Sequence, residues 1–207
     1  MCSNKILSNC KLQHQRSNTG TGIAQESSYR GIAEVYEWNG DAWTRKGSTL
    51  QGHEASDHFG QYCSLSSDGT TFIVSAPHAS VGGTQLVGYA QVYRWDGFDW
   101  AQIGSNIAGA AHYDLLGRTK GLAISSNGQI VMTGTQYYDN KAGRVRIFQY
   151  VNNDWVQVGD EIRGTYCSSA VTFECYVRAL RSSVFEGHIY IPHSYQKKST
   201  ETTRTYS

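Results

Sequence analysis

Proline and charge are scarce in this 207-residue chain: it has 2 prolines, and only 17% of its residues are Asp, Glu, Lys or Arg. With so little charge, and without Leu and Ala dominating, the composition excludes a helical bundle. Hydrophobic residues make up 39%, yet no apolar run approaches the roughly 18 residues that a spanning helix needs. No membrane insertion is expected. The formal net charge is only +1, so no basic footprint is available for a phosphate backbone and no nucleic-acid partner is expected. The apolar core between Met1 and Gln15 is only Ile6-Leu7, too short for the hydrophobic region of an export signal. The chain also has no Asn-x-Ser/Thr sequon.

Five cysteines, Cys2, Cys10, Cys63, Cys167 and Cys175, form an odd set with no C-x-x-C pair. That pattern speaks against a zinc site and a dense disulfide framework. The expectation is free thiols, with Cys167 and Cys175 alone close enough in sequence to suggest a bridge. The chain is rich instead in Gly (22), Tyr (14) and Trp (5), the residues of turns and strands. An all-β protein is expected.

A period decides the architecture. Residues 31–52 (GIAEVYEWNGDAWTRKGSTLQG), 88–109 (GYAQVYRWDGFDWAQIGSNIAG) and 143–164 (GRVRIFQYVNNDWVQVGDEIRG) align without gaps. Each begins at a glycine (Gly31, Gly88, Gly143), carries a central tryptophan (Trp43, Trp100, Trp155) and ends at a glycine (Gly52, Gly109, Gly164). The steps are 57 and 55 residues. A second block repeats in the same frame: Asp57-His58-Phe59-Gly60 with Ser66-Ser67-Asp68-Gly69, then Asp114-Leu115-Leu116-Gly117 with Ser125-Ser126-Asn127-Gly128. Asp-Gly and Asn-Gly between strand-like runs predict hairpins with type I′ turns. Four strands per unit follow, at about 59–66, 70–76, 88–95 and 98–103, and again at about 116–125, 129–134, 143–150 and 154–158.

Alternation along the third strand shows how the units pack. Ile32, Tyr36 and Trp38 lie on one side with Ala33 and Val35 on the other, and Tyr89, Tyr93 and Trp95 oppose Ala90 and Val92 in the next copy. Both faces need cover, large residues of one unit on small residues of the next. Repeated four-stranded antiparallel sheets of this kind predict the blades of a partial β-propeller, with a half-blade at 31–52 and whole blades at 59–109 and 116–164. Residues 1–30 read as an irregular N-terminal segment. Residues 165–207 lose the period and read as a degenerate or out-of-frame segment with a disordered tail. About three legible units against the four to eight of closed propellers lead to the expectation of a fragment of a longer repeat protein, or of self-association.

Phe59-Gly60, the Ser67-Asp68-Gly69 turn, Ser75-Ala76-Pro77 and Gly88-x-x-x-Val92-Tyr93 resemble the FG-GAP repeat of integrin-α-type β-propellers. The resemblance covers about residues 31–164. It implies a recognition or adhesion module and a cell-surface or extracellular setting. The family's calcium loops have no match, so no cofactor and no metal is expected. Ser66-Ser67-Asp68-Gly69-Thr70-Thr71-Phe72 also resembles the Asp-box of sialidases, one residue short. That supplies an alternative, a glycoside-processing propeller enzyme, with Arg118 and Asp114 as the residues to test. No Ser-His-Asp order, phosphate loop or paired-acid constellation is present, and no catalytic residue is assigned.

Candidate ligand-binding residues sit on the loops that enter each unit: Glu54, Asp57, His58, His112, Tyr113 and Asp114. Asp57 and Asp114 recur, which favours capping of a loop by bonds to nearby backbone amides. Glu54, His58, His112 and Tyr113 are specific to one unit and are better placed to contact a protein or glycan. His53 and His58 have no strand or helix fixing them on one side as metal ligands.

Overall fold

A computed structural model of the chain describes residues 6–9, 29–118 and 121–163, and every structural statement concerns these. Cys167, Cys175 and the aperiodic 165–207 segment lie outside them. The first sheet has β1 (Ile6–Asn9), β2 (Ile32–Trp38), β3 (Trp43–Arg45) and β4 (Leu50–Gln51). The second has β5 (Cys63–Leu65), β6 (Thr71–Ala76), β7 (Tyr89–Trp95), β8 (Trp100–Gln102) and β9 (Ile107–Ala108). In the third, β10 (Leu122–Ile124) and β11 (Ile130–Thr135) precede a one-turn helix, α1 (Tyr138–Lys141). It is completed by β12 (Arg144–Val151), β13 (Asp154–Gln157) and β14 (Ile162–Arg163). All pairings are antiparallel, in the orders β1-β2-β3, β5-β6-β7-β8 and β10-β11-β12-β13. The described protein is all-β apart from α1, and no sheet closes on itself.

Two features of the strands differ from the sequence reading. The expected fourth strand, β8 or β13, is followed by a further two-residue strand on the same edge: β8 and β9 both pair with β7, and β13 and β14 both pair with β12. The segment before residue 31 is not irregular throughout, because β1 pairs with β2. Its register matches the other units: Ile6 lies opposite Glu37 as Thr71 lies opposite Arg94 and Ile130 opposite Gln149.

The hairpin turns also differ. Gly69 (φ 67°) and Gly128 (φ 68°) are left-handed, but Asp68 and Asn127 are not, so the turns are not type I′. Each is a four-residue loop closed by Ser66 N–H to the Thr71 carbonyl (2.8 Å) or Ser125 N–H to the Ile130 carbonyl (2.8 Å). The side chain decides the conformation. Asp68 Oδ1 accepts from Ser66 Oγ–H (2.6 Å) and Thr70 N–H (3.0 Å), and Asn127 Oδ1 accepts from Ser125 Oγ–H (2.8 Å) and Gln129 N–H (3.1 Å). Such Asx bonds hold the residue at negative φ and leave the positive φ to the glycine alone.

The sheets stack face to face on shared cores. Ala33 and Val35 of the first sheet pack on Phe72, Val74, Tyr89, Tyr93 and Trp100 of the second. Ile73, Ala90 and Val92 of the second pack in turn with Ile124, Val131, Phe148 and Trp155 of the third. Each fully buried aliphatic or aromatic side chain contributes about 1.5–3 kcal/mol, so these two layers carry most of the cohesion between units.

At the outer rim the same joint is built twice. The outer strand breaks at Gly47 (φ 76°) in the first sheet and Gly104 (φ 67°) in the second, conformations that suit glycine. The break turns a carbonyl and an amide toward the next sheet. Trp100 Nε1–H donates to the Lys46 carbonyl (2.7 Å) while Asp99 Oδ1 accepts from Ser48 N–H (2.7 Å). One step on, Trp155 Nε1–H donates to the Ile103 carbonyl (2.9 Å) and Asp154 Oδ1 accepts from Ser105 N–H (2.7 Å). A Cβ on Gly47 would meet Trp100 Cδ1 at 2.8 Å, and one on Gly104 would meet Trp155 Cδ1 at 2.6 Å. The outer strand is therefore interrupted where an Asp-Trp pair of the next unit locks in.

Cys63 is disulfide-bonded. The expectation of free thiols is corrected at this residue. No other cysteine lies near Cys63 in the sequence, so spacing alone gives no sign of its bridge.

Candidate functional site

Two equivalent loops carry the repeated aspartates: 52–62, leading from β4 to β5, and 109–118, leading from β9 toward β10. Backbone bonds moor each loop to the unit before it. His58 and Phe59 N–H donate to the Tyr29 and Arg30 carbonyls (2.9 and 3.0 Å), and Leu115 and Leu116 N–H to those of Leu86 and Val87 (3.1 and 3.2 Å). Phe59 and Leu116, the same position in the two copies, are fully buried and pin the loops to the core.

Asp57 and Asp114 are the internal braces of these loops, 4% and 1% exposed. Asp57 Oδ2 accepts from Glu54 N–H (3.0 Å), and Asp114 Oδ2 accepts from Ala110 N–H (2.6 Å) and Ala111 N–H (3.1 Å). The flanking residues are left-handed without being glycine: Ser56 (φ 70°) and His58 (φ 55°), Tyr113 (φ 65°) and Leu115 (φ 48°). Each such residue costs about 1–2 kcal/mol and persists because the surrounding bonds over-determine it.

The two aspartates meet different partners. Arg144 Nη2–H donates to Asp114 Oδ2 (2.5 Å) and Nη1–H to Glu161 Oε2 (3.0 Å), while the guanidinium lies over the Tyr138 ring at 4.2 Å. Arg144 is itself buried, so this is a desolvated ion pair. At the equivalent place beside Asp57 stands Tyr89. Burial, with the Asp57 charge beside it, pushes the Tyr89 phenol well up, and burial raises the Asp57 carboxyl. Neither Arg144 nor Tyr89 was marked by the sequence. The only signal was that the residue after the unit's first glycine varies, as Ile32, Tyr89 and Arg144.

The unit-specific residues fall into two groups on either side of the 77–88 connection. Glu54 is exposed, and His58, half-buried, stacks on His78 (4.0 Å between centroids, 17° between planes). His78 N–H donates to the Asp57 carbonyl (3.2 Å). Burial, the His58 charge and Arg118 together pull the His78 imidazole down to about 4. On the other side, His112 Nδ1–H donates to the Gln85 carbonyl (2.8 Å), and exposed Tyr113 sets its ring edge-on to His112 (4.7 Å). His53 is placed apart from His58, with Nε2 3.4 Å from Gln91 Nε2. Among the described residues no group of three His, Cys, Asp or Glu side chains could hold a metal ion, and no helix is long and apolar enough to cross a membrane.

Chemically the arrangement is a firm base with variable decoration. Asp114 Oδ2 accepts from two amides and a guanidinium, and the Arg118 guanidinium lies over the Tyr137 ring at 5.3 Å. Neither a family model nor a curated protein matches the chain.

Proposed function

We propose that the three sheets are consecutive blades of a β-propeller of FG-GAP-like repeats, and that the chain is a non-catalytic recognition or adhesion module. It binds a protein or glycan through the loops at 52–62 and 109–118. The observation that carries this reading is the division of labour within those loops. Buried Asp57 and Asp114 hold the backbone, while Glu54, His112 and Tyr113 are presented outward on a base that ligand binding does not have to order. Asp114 is 1% exposed and tied at Oδ2 to the Arg144 guanidinium, which supports binding over the glycoside-processing alternative, since that would need the group available to substrate.

A glycan microarray, run beside a panel of chromogenic glycosides, tests the reading. The expected result is saturable binding without turnover, lost in a Glu54→Ala, His112→Ala, Tyr113→Ala triple variant that keeps the parent melting temperature. Turnover abolished by Arg118→Ala would reverse the assignment in favour of a glycoside-processing enzyme.

A further inference from the structure

Among the described residues, the rim joint that occurs twice also leaves one half unused on the third sheet and one on the first. On the third sheet the socket is already formed. Gly159 has φ 68°, as Gly104 has 67°, and Val158 N–H donates to the Ile147 carbonyl (2.9 Å), as Ile103 N–H donates to that of Val92 (2.9 Å). Nothing lies within 4 Å of a Cβ built on Gly159, whereas in both filled sockets a tryptophan occupies that space. Exposed Val156 and Val158 flank it. On the first sheet the plug is formed but undocked. Trp43 lies against Trp38 (5.4 Å), as Trp100 lies against Trp95 (5.3 Å) and Trp155 against Tyr150 (5.1 Å). Yet Trp43 is 42% exposed where Trp100 and Trp155 are 6% and 8%.

We propose that the occupant of the Val158–Gly159–Asp160 socket is the Trp43 hairpin of a second copy of this chain, giving a head-to-tail contact at the rim. Two substitutions in the repeat favour a copy over any other Asp-Trp hairpin. The serine whose amide meets the incoming aspartate, Ser48 and Ser105, is Asp160 in the third unit. The aspartate before the tryptophan, Asp99 and Asp154, is Ala42 in the first. An Asp-Trp plug would set two carboxylates against each other at Asp160; the Ala42-Trp43 plug does not. Trp43 is also the only tryptophan at this repeat position left outside a socket. The Val158 carbonyl would accept from Trp43 Nε1–H, as the Lys46 and Ile103 carbonyls do from Trp100 and Trp155. The same patch does not meet itself, so the contact is heterologous and builds rings or open chains rather than two-fold dimers. It is independent of the loop residues proposed to bind ligand.

Sedimentation velocity of the intact chain from about 1 to 500 μM tests it, the range suited to a small transient interface. Weight-average mass is expected to rise with concentration. Trp43→Ala and Gly159→Asn should each remain monomeric; Asn tolerates the left-handed conformation, and its Cβ occupies only the empty socket. An equimolar mixture of the two, one keeping the socket and the other the plug, should form a dimer that grows no further. This outcome also shows that both variants fold. A double variant Ala42→Asp, Asp160→Ser restores the pairing found inside the molecule and should tighten association about tenfold, one charge-assisted hydrogen bond. A chain that stays monomeric throughout, or one whose association survives Trp43→Ala unchanged, would overturn the proposal.

Discussion

Asp57 and Asp114 occupy one repeat position and should respond differently to the same substitution. Asp114→Asn leaves the buried Arg144 guanidinium with only Glu161 as a charged partner, and a loss of about 3 kcal/mol is expected, at the low end for a broken buried pair. Asp57→Asn keeps an acceptor for Glu54 N–H and removes a carboxyl that burial already disfavours, so a change within about 1 kcal/mol is expected. Urea titrations of the two variants, read by tryptophan fluorescence, give the comparison. His78 supplies a pH signature. Its imidazole is lowered from 6.5 to about 4, so the unfolded chain binds the proton first on acidification. Stability from this group is complete above pH 6.5 and declines as pH falls toward 4. His78→Gln should flatten the melting temperature across that window; an unchanged slope would remove His78 from the account. The repeated aspartates could be found by eye, but the partner that fixes their energetic role, Tyr89 or Arg144, could not. It comes from a neighbouring strand at a position where the repeat varies.

At the scale of the element, the broken outer strand is the informative feature. A Cβ on Gly104 meets Trp155 Cδ1 at 2.6 Å and Asp154 Oδ1 at 3.1 Å, whereas one on Gly159 meets nothing. Both glycines are left-handed, so both alanine variants carry the conformational cost of about 1–2 kcal/mol. Gly104→Ala should exceed Gly159→Ala by about 1–3 kcal/mol, because it also displaces a docked tryptophan. Equal losses measured by chemical denaturation would mean that the rim joint contributes nothing to the stack. The inner strands and their alternation were legible because period-two burial writes itself into Ala33, Val35, Ala90 and Val92. The break was not. Gly47, Gly104 and Gly159 read as repeat markers, and only the neighbouring sheet shows that each makes room for an indole.

For the whole molecule, cohesion comes from layers shared between sheets, and a covalent tie at Cys63 is added to them. Of the five cysteines, no more than three should react with a thiol reagent in denaturant without reductant. Reduction should lower stability by about 2–4 kcal/mol through the greater freedom of the unfolded chain, seen as a fall in melting temperature. Five reactive thiols would contradict the bridge. The cysteine count alone pointed the other way, since an odd number without close spacing carries no sign of a pairing between residues far apart in sequence.

The sequence by itself determined the strand content, the length of the repeat and which face of each third strand is small or large. All three follow from local periodicity, which any stretch of chain displays without reference to the rest. Tertiary structure decided what the repeated residues do. It turned Asp57 and Asp114 into internal braces, made Trp100 and Trp155 plugs held by the preceding unit, and left Trp43 and Gly159 without counterparts among the described residues. Those roles depend on which residue of the adjacent sheet arrives at a given carbonyl, amide or carboxylate. That is set by how the sheets stack, a relation between units some 55 residues apart.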